Sequence, residues 1–147
     1  PKDERSSLPI DLQPALQLIS EVVYVKQVEK GSKISYGATY EAQEDEWIAT
    51  IPIGYADGWF RHYKDIPVLA EGHACPVLGV IHMEQLMIRL PHQVPVGTTV
   101  TLIGQDHHLE NHAADLARQV GTISYEIFCG LSDRIPRIYL QDEEGED

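Results

Sequence analysis

Short runs in which apolar and polar residues alternate follow one another along most of the chain. From Trp47 to Ile53 every second residue is apolar, and Asp57-Gly58 then marks a turn. This period of two predicts a strand that buries one face. Further strands are predicted from residue 22 to a turn at 29–31 and over residues 68–70, 76–81, 86–90, 99–103 and 134–140. Strands separated by turns every ~8–12 residues are typical of a barrel or a sandwich, so we expect a mainly β fold.

Helical spacing of apolar residues interrupts this pattern in few places. From Ala113 to Val120 the apolar positions repeat at three, four and seven residues, with Asn111 as a candidate N-cap and Gly121 where a C-terminal glycine belongs. A helical turn is predicted at 125–129. A short helix near the start is predicted from the spacing of Leu12, Leu16 and Ile19. The expected architecture is a small barrel-like β-domain with one or two short helices.

The two ends of the chain differ in composition from its middle. Residues 1–10 are polar and proline-containing, which predicts a linker or a truncated loop. Residues 141–147 hold five acids among seven, which predicts a solvated acidic tail. The β-domain is therefore expected over residues 11–140. The start at Pro1, with no methionine before Met83, suggests a fragment, although removal of an initiator methionine before proline gives the same start.

Charge and composition exclude several classes of partner. The 147 residues carry a net charge of −12, which is unsuited to nucleic acid or to an anionic membrane surface. The sequence has no apolar stretch long enough to span a bilayer and no signal-peptide pattern at its start. Two scattered cysteines, Cys75 and Cys129, are typical of a reduced, intracellular protein. We therefore expect a cytoplasmic globular domain that itself makes no membrane contact; the alternative of a membrane-anchored N-terminal region in a longer protein stays open.

Histidines and acids offer little that is specific to catalysis. His107, His108 and His112 could bind Zn or Ni, but no carboxylate or thiol obviously completes a ligand set, so we expect a solvated loop and no metal. His82 and Glu84 would share one face of a strand, where structural pairing is the default interpretation.

Three tyrosines stand in or beside segments that contain glycine and small residues. Tyr36, Tyr55 and Tyr125 could donate a hydrogen bond to a phosphate or carboxylate, or act as a general base beside a cation. Composition alone leaves a structural role open for each of them.

The order and spacing of six motifs resemble one enzyme family. They are ISYGATY at 34–40, IPIGYADG at 51–58, MEQ at 83–85, PVG at 95–97, TISYE at 122–126 and RIPR at 134–137. The chain resembles the C-terminal β-domain of alanine racemases, which depend on pyridoxal phosphate, over residues 12–139. The first two motifs, with their short spacing, are the most specific part of the resemblance.

The resemblance implies a head-to-tail homodimer. In the family an N-terminal (β/α)8 barrel holds pyridoxal phosphate, and each active site combines one subunit's barrel with the β-domain of the other. The present sequence contains neither such a barrel nor the family's lysine-bearing segment. We therefore expect it to supply half of a site that interconverts L- and D-alanine for the bacterial cell wall, and to be inactive alone.

The resemblance also assigns roles to four residues. Tyr36 would take the α-proton of the L enantiomer, opposite a lysine of the barrel. Tyr55 would line the substrate entrance, and the backbone N–H of Met83 would meet the substrate carboxylate. Tyr125 would bind the cofactor phosphate, and its ring would narrow the entrance to the active site. The narrower entrance favours alanine over the larger serine.

The family's usual run Arg-Ile-Cys-Met-Asp-Gln differs here at three positions. Val80 removes a charge, His82 replaces a small thiol by a titratable ring, and Glu84 lengthens an acid by one methylene. These departures keep two alternatives open. One is a serine or broad-specificity racemase domain, against which the presence of Tyr125 counts. The other is a non-catalytic β-module for dimerisation or binding, against which the presence of all three tyrosines counts.

Overall fold

The chain folds mainly into antiparallel strands. A computed structural model describes residues 17–34, 39–122 and 124–138. Its strands are Leu18–Glu21 (β1), Tyr24–Val28 (β2), Lys33–Ile34 (β3), Tyr40–Glu41 (β4), Glu46–Ile51 (β5), Val68–Ala70 (β6), His73–Cys75 (β7), Val77–Leu78 (β8), Leu86–Leu90 (β9), Thr99–Asp106 (β10) and Leu109–Asn111 (β11). The helices are Ala113–Val120 (α1) and Ser124–Gly130 (α2), with short 3-10 turns at Tyr55–Asp57 and Arg61–Tyr63. The prediction of a mainly β fold with one or two short helices is confirmed.

Two main sheets enclose the core. One has the order β1-β10-β6-β7, with β11 added on β10, and the other has the order β2-β5-β9-β8. Strands β3 and β4 form a separate hairpin. The central strand β5 pairs with β2 and β9 at once, so that Trp47 lies opposite Gln27 on one side and Leu90 on the other. Its backbone polar groups are thereby used within the sheet, as a buried strand requires.

The strand β5 buries both of its faces. Ala49 and Ile51 belong to the main core between the sheets, which also receives Leu116 from α1 and Ile127 from α2. Ile48 points the other way and joins a second apolar cluster with Val28, Ile34, Ala42 and Leu78. Full burial of a large apolar side chain such as Ile48 or Ile51 contributes about 1.5–3 kcal/mol to the free energy of unfolding. The loop residues that follow β5 therefore start from a firmly fixed strand.

Two sequence predictions near the ends of the domain are wrong. Ile19 does not continue a helix: it lies in β1, opposite Thr101 of β10, with an exposed side chain. The part of the predicted helix before residue 17 lies outside the described residues. Residues 134–138 form no strand. The Arg137 guanidinium instead donates to the carbonyls of Leu131, Ser132 and Ile135, which curls the backbone into a loop.

Smaller predictions need adjustment as well. Of the strand predicted at 76–81 only Val77–Leu78 forms. Asn111 does not cap α1, because its side-chain amide donates to the carbonyl of Pro67 at 2.9 Å, and His112 occupies the N-cap position. Gly121 ends α1 with a φ of 78°, as its position in the sequence predicts. Within the described ranges, neither α1 nor α2 is long and apolar enough to span a bilayer.

The buried thiol of Cys75 gives a chemical test of this core. Cys75 is 1% exposed, and burial, with a smaller contribution from Asp106, raises its pKa to about 11. At pH 8 we expect the Cys75 peptide of the native full-length protein to react with iodoacetamide at least about 100-fold more slowly than in urea, because the thiolate is the nucleophile. Mass spectrometry after a short pulse measures this. Equal rates in the native and unfolded protein would contradict the packing of β7.

The same raised pKa fixes the sign of one pH effect on stability. The stabilising contribution of the neutral Cys75 thiol is complete below its ordinary pKa of 9.0 and is lost as the pH rises through about 11.

Candidate functional site

A pocket of about 410 Å³ opens between two loops on one side of the domain. One loop is residues 54–58, called here the Tyr55 turn, which follows β5. The other is residues 82–85, called the Met83 loop, which precedes β9. The residues that line the pocket are Tyr55, Arg61, Val80, His82, Met83, Glu84 and Gln85. The structure therefore brings Tyr55 and Met83, two of the predicted site residues, to one place.

Backbone hydrogen bonds join the two loops directly. Tyr55 N–H donates to the carbonyl of His82 at 3.0 Å, and Ala56 N–H donates to the carbonyl of Met83 at 2.9 Å. His82 N–H also donates to the carbonyl of Gln85 at 2.9 Å, which closes the Met83 loop. Residues 82–85 are thus a tight turn, and the prediction that His82 and Glu84 share a strand face is wrong.

Gly54 permits this close approach. A Cβ atom on Gly54 would lie 2.1 Å from the His82 carbonyl oxygen and 2.6 Å from the Met83 carbonyl oxygen. Both obstacles are backbone atoms, which cannot rotate away as a side chain can. The backbone of Gly54 is extended, so space rather than a left-handed conformation requires glycine here.

The side chains at the pocket combine apolar surface with one cation, Arg61, and one acid, Glu84, whose carboxylate contacts Arg134 at 3.2 Å. Met83 is 54% exposed and Tyr55 is 36% exposed, both unusually high for large apolar side chains. The Arg61 guanidinium carbon lies 5.1 Å from the centre of the Tyr55 ring, within the range of a cation–π contact. A phenol and a guanidinium beside exposed apolar surface suit a ligand that carries an anionic group.

Three charged residues that sequence reasoning did not connect, Asp57, Arg134 and Glu84, meet beside the pocket. Asp57 is buried, and its Oδ2 accepts the N–H of Gly54 at 3.0 Å. Arg134 places Nε 3.6 Å from Asp57 Oδ1 and Nη2 3.2 Å from Glu84 Oε1. The one local feature of the sequence that indicates the contact between Asp57 and Gly54 is the position of this acid three residues after Gly54, which is the spacing of a capping box. The contacts with Arg134 span many residues of sequence and leave no local pattern.

The other predicted site residues are described less fully. Tyr36 lies in the connection between β3 and β4, and residues 35–38 are outside the described part of the chain. Tyr125 lies in α2, but its side chain is also outside what the structure describes. The C-terminal end of α2 reaches the Tyr55 turn, since a Cβ on Gly58 would lie 2.1 Å from the Gly130 carbonyl oxygen. The helix that carries Tyr125 is thus fixed against the pocket loop.

Two of the three histidines in the predicted patch lie beside neighbouring acids. His107 lies in the turn between β10 and β11, with Nδ1 2.9 Å from Asp106 Oδ1, and His112 contacts Glu110. Across the described residues, no three His, Cys, Asp or Glu side chains group in a way that could hold a metal ion.

Comparison with known proteins identifies the family. The family described as "Alanine racemase, C-terminal domain" matches residues 15–139. An alanine racemase of Listeria innocua is 52% identical over 136 residues, which are 92% of this chain and 37% of that protein. The solved structure of alanine racemase from Bacillus anthracis with bound L-Ala-P superposes with a TM-score of 0.92 at 46% identity, covering 97% of this chain and 37% of that one.

A racemase of another substrate shares the same fold. The structure of histidine racemase from Leuconostoc mesenteroides subsp. sake superposes with a TM-score of 0.84 at 35% identity, over 92% of this chain and 37% of that one. The chain therefore spans little more than a third of the length of each of these relatives. The chain belongs to the alanine racemase family, in which it corresponds to the C-terminal domain.

Proposed function

We propose that this chain is the β-domain of a pyridoxal-phosphate-dependent racemase that interconverts L- and D-alanine, and that it supplies half of each active site. The observation that carries the proposal is the pocket where Tyr55 and Met83 meet across two backbone hydrogen bonds. Both side chains remain exposed in the isolated domain, as expected for a surface that an N-terminal barrel of a second subunit covers. Family membership supports the homodimer, and the bacterial relatives support a cytoplasmic role in supplying D-alanine.

The residues present suit an anionic cofactor and substrate. Arg61 supplies a positive charge at the pocket, and phenols can donate to phosphate or carboxylate oxygens. When bound, pyridoxal phosphate supplies the electron sink that stabilises negative charge at Cα. Most of its binding groups belong to the barrel, so this chain would contribute only one wall.

Within that wall each residue has a separate task. Tyr36 would remove the α-proton from L-alanine in one direction and, in the reverse direction, would protonate Cα from that same side to form L-alanine. The backbone N–H of Met83 donates to the substrate carboxylate, and Tyr55 lines the path by which substrate enters. The Tyr125 hydroxyl donates to the cofactor phosphate, and its ring limits the room for the substrate side chain.

A broader substrate range is the second candidate, and two observations favour it. Val80 lines the pocket, where the family's usual arginine would place a charge. A histidine racemase has the same domain at 35% identity, so the fold itself does not fix the side chain that is accepted. A non-catalytic β-module is less well supported, because the pocket keeps Tyr55, Arg61 and Met83 together.

The test compares the full-length protein with the isolated chain. Loaded with pyridoxal phosphate, the full-length protein should convert L-alanine to D-alanine, with kcat/KM for alanine roughly tenfold or more above that for serine. The isolated chain should show no turnover and no stable cofactor absorbance. Chiral chromatography of alanine, serine and histidine after incubation measures the rates.

Each outcome of this comparison decides something. Turnover by the isolated chain would overturn the half-site proposal. A loaded full-length protein that racemises none of the three amino acids would overturn the racemase assignment. A preference for serine or histidine over alanine would establish the second candidate in its place.

A further inference from the structure

Arg134 connects the two pocket loops through their side chains. Its Nε lies 3.6 Å from Asp57 Oδ1 in the Tyr55 turn, and its Nη2 donates to Glu84 Oε1 in the Met83 loop at 3.2 Å. A guanidinium has several donors in a fixed plane, so one arginine can serve both carboxylates. Arg134 therefore connects Asp57, which lies two residues after Tyr55, to Glu84, which directly follows Met83.

The two contacts of Arg134 differ in strength. Asp57 is only 7% exposed, and a buried carboxylate requires a charged or hydrogen-bonding partner. Glu84 is 65% exposed at its side chain, where an isolated ion pair contributes little. The attraction to Asp57 nevertheless holds the Arg134 guanidinium at the position where it can donate to Glu84.

The loop that carries Arg134 is itself fixed to the Tyr55 turn. Ser132 N–H donates to the carbonyl of Asp57 at 2.9 Å, and Arg134 N–H donates to Ser132 Oγ at 3.0 Å. Arg137 holds three carbonyls of the same loop. Arg134 thus projects from a rigid support rather than from a free segment.

The Met83 loop needs a contact of this kind at its second half. Its first half is held by hydrogen bonds to the carbonyls of His82 and Met83. At Glu84 the described contact to another loop is the one with Arg134, while Gln85 closes the turn on His82. Movement of Glu84 would turn the peptide group between Met83 and Glu84, whose carbonyl accepts the N–H of Ala56 at 2.9 Å.

We propose that Arg134 is a positioning residue that fixes the Met83 loop against the Tyr55 turn through Asp57 and Glu84, and so sets the backbone of Met83 for the substrate carboxylate. The part that concerns substrate rests on the racemase function proposed above. The part that concerns the loop rests on the contacts alone.

The test uses two variants of the full-length holoenzyme. Glu84→Gln keeps the length of the side chain and leaves the Asp57–Arg134 contact in place, so it removes only the charge on the Met83 loop. Arg134→Lys keeps the positive charge but cannot serve two carboxylates at once. Arg118→Lys is the matched control, because Arg118 forms an exposed ion pair with Asp115 on α1, away from the pocket.

We expect Glu84→Gln to raise KM for alanine about 2- to 5-fold, the size of effect that an exposed ion pair allows, and Arg134→Lys to raise it at least as much, in both directions and with kcat changed less than about twofold. The double variant should resemble the stronger single variant, since both changes break the same connection. Hydrogen exchange followed by mass spectrometry should show faster exchange in a peptide that begins a few residues before His82 and ends at Leu86, because the His82 N–H loses protection. Arg118→Lys should change none of these readouts.

The exchange measurement separates this proposal from the proposed function. If the parent holoenzyme racemises no amino acid, the function fails, and the exchange rates of residues 82–86 still decide whether Arg134 fixes the loop. Unchanged exchange in both variants would overturn the positioning role. Faster exchange with unchanged KM in an active enzyme would overturn its link to the substrate carboxylate.

Discussion

Replacing Tyr36 by phenylalanine in the full-length enzyme should slow exchange of the α-hydrogen of L-alanine by about 10²–10⁴-fold, the usual contribution of a general acid–base group. Exchange of D-alanine should fall far less, because its α-proton leaves from the opposite side, toward the lysine of the barrel. Loss of either group slows racemisation in both directions equally, since the two enantiomers have the same free energy. The rate at which each enantiomer exchanges its α-hydrogen in deuterium oxide therefore distinguishes Tyr36 from the lysine of the barrel. The net rate of racemisation does not distinguish them.

Tyr40→Phe is the matched control for this experiment. Tyr40 is the first residue of β4, which pairs with β3 in the hairpin whose connection contains Tyr36. Its hydroxyl donates to both carboxylate oxygens of Glu46 at 2.8 Å. Its loss should lower stability by about 1 kcal/mol and leave the ratio of L to D exchange at the parent value. If Tyr36→Phe also kept that ratio, Tyr36 would have no part in proton transfer.

The parts of the fold that follow from local burial could be predicted from the sequence. The helical spacing at α1 reflects one buried face, and the helix forms where the pattern indicates. The alternation at β5 located a strand, but the strand ends at Ile51 rather than Ile53 and buries both faces instead of the one predicted. The predicted helix was wrong at Ile19 because this residue pairs with Thr101, which is distant in the sequence, and helical spacing carries no information about that pairing. The predicted last strand failed because Arg137 binds three carbonyls of its own loop, which a pattern of apolar residues does not register.

The candidate site divides in the same way. Tyr55 and Met83 could be found because they stand in motifs with characteristic spacing, and the structure brings them to one pocket. The connection from Asp57 through Arg134 to Glu84 could not, since it depends on three segments that meet only after folding. Sequence reasoning predicted the residues that we propose to face the substrate, whereas the contacts around Tyr55 and Met83 required the structure.

Gly54→Ala should lower kcat/KM for alanine by about 100-fold, the order expected when a substrate-binding group moves by roughly 1 Å. The added Cβ would lie 2.1 Å from the His82 carbonyl oxygen, so the Met83 loop must move away from the Tyr55 turn. That movement strains or breaks the hydrogen bonds from Tyr55 N–H and Ala56 N–H. Together with overpacking, their loss should destabilise the domain by about 3 kcal/mol. Steady-state kinetics and urea unfolding of the full-length protein measure the two effects.

Gly97→Ala separates this steric effect from the ordinary penalty of replacing a glycine. Gly97 has a φ of +96° and no atom within 4 Å of its would-be Cβ, so alanine there suffers backbone strain without a clash. It should destabilise the domain by about 1 kcal/mol and leave kcat/KM unchanged. Gly54 has the opposite combination, an extended backbone and a direct clash with two carbonyls. If both variants lost the same activity, the loss would come from general destabilisation, and the contact between the two loops would have no special part in binding alanine.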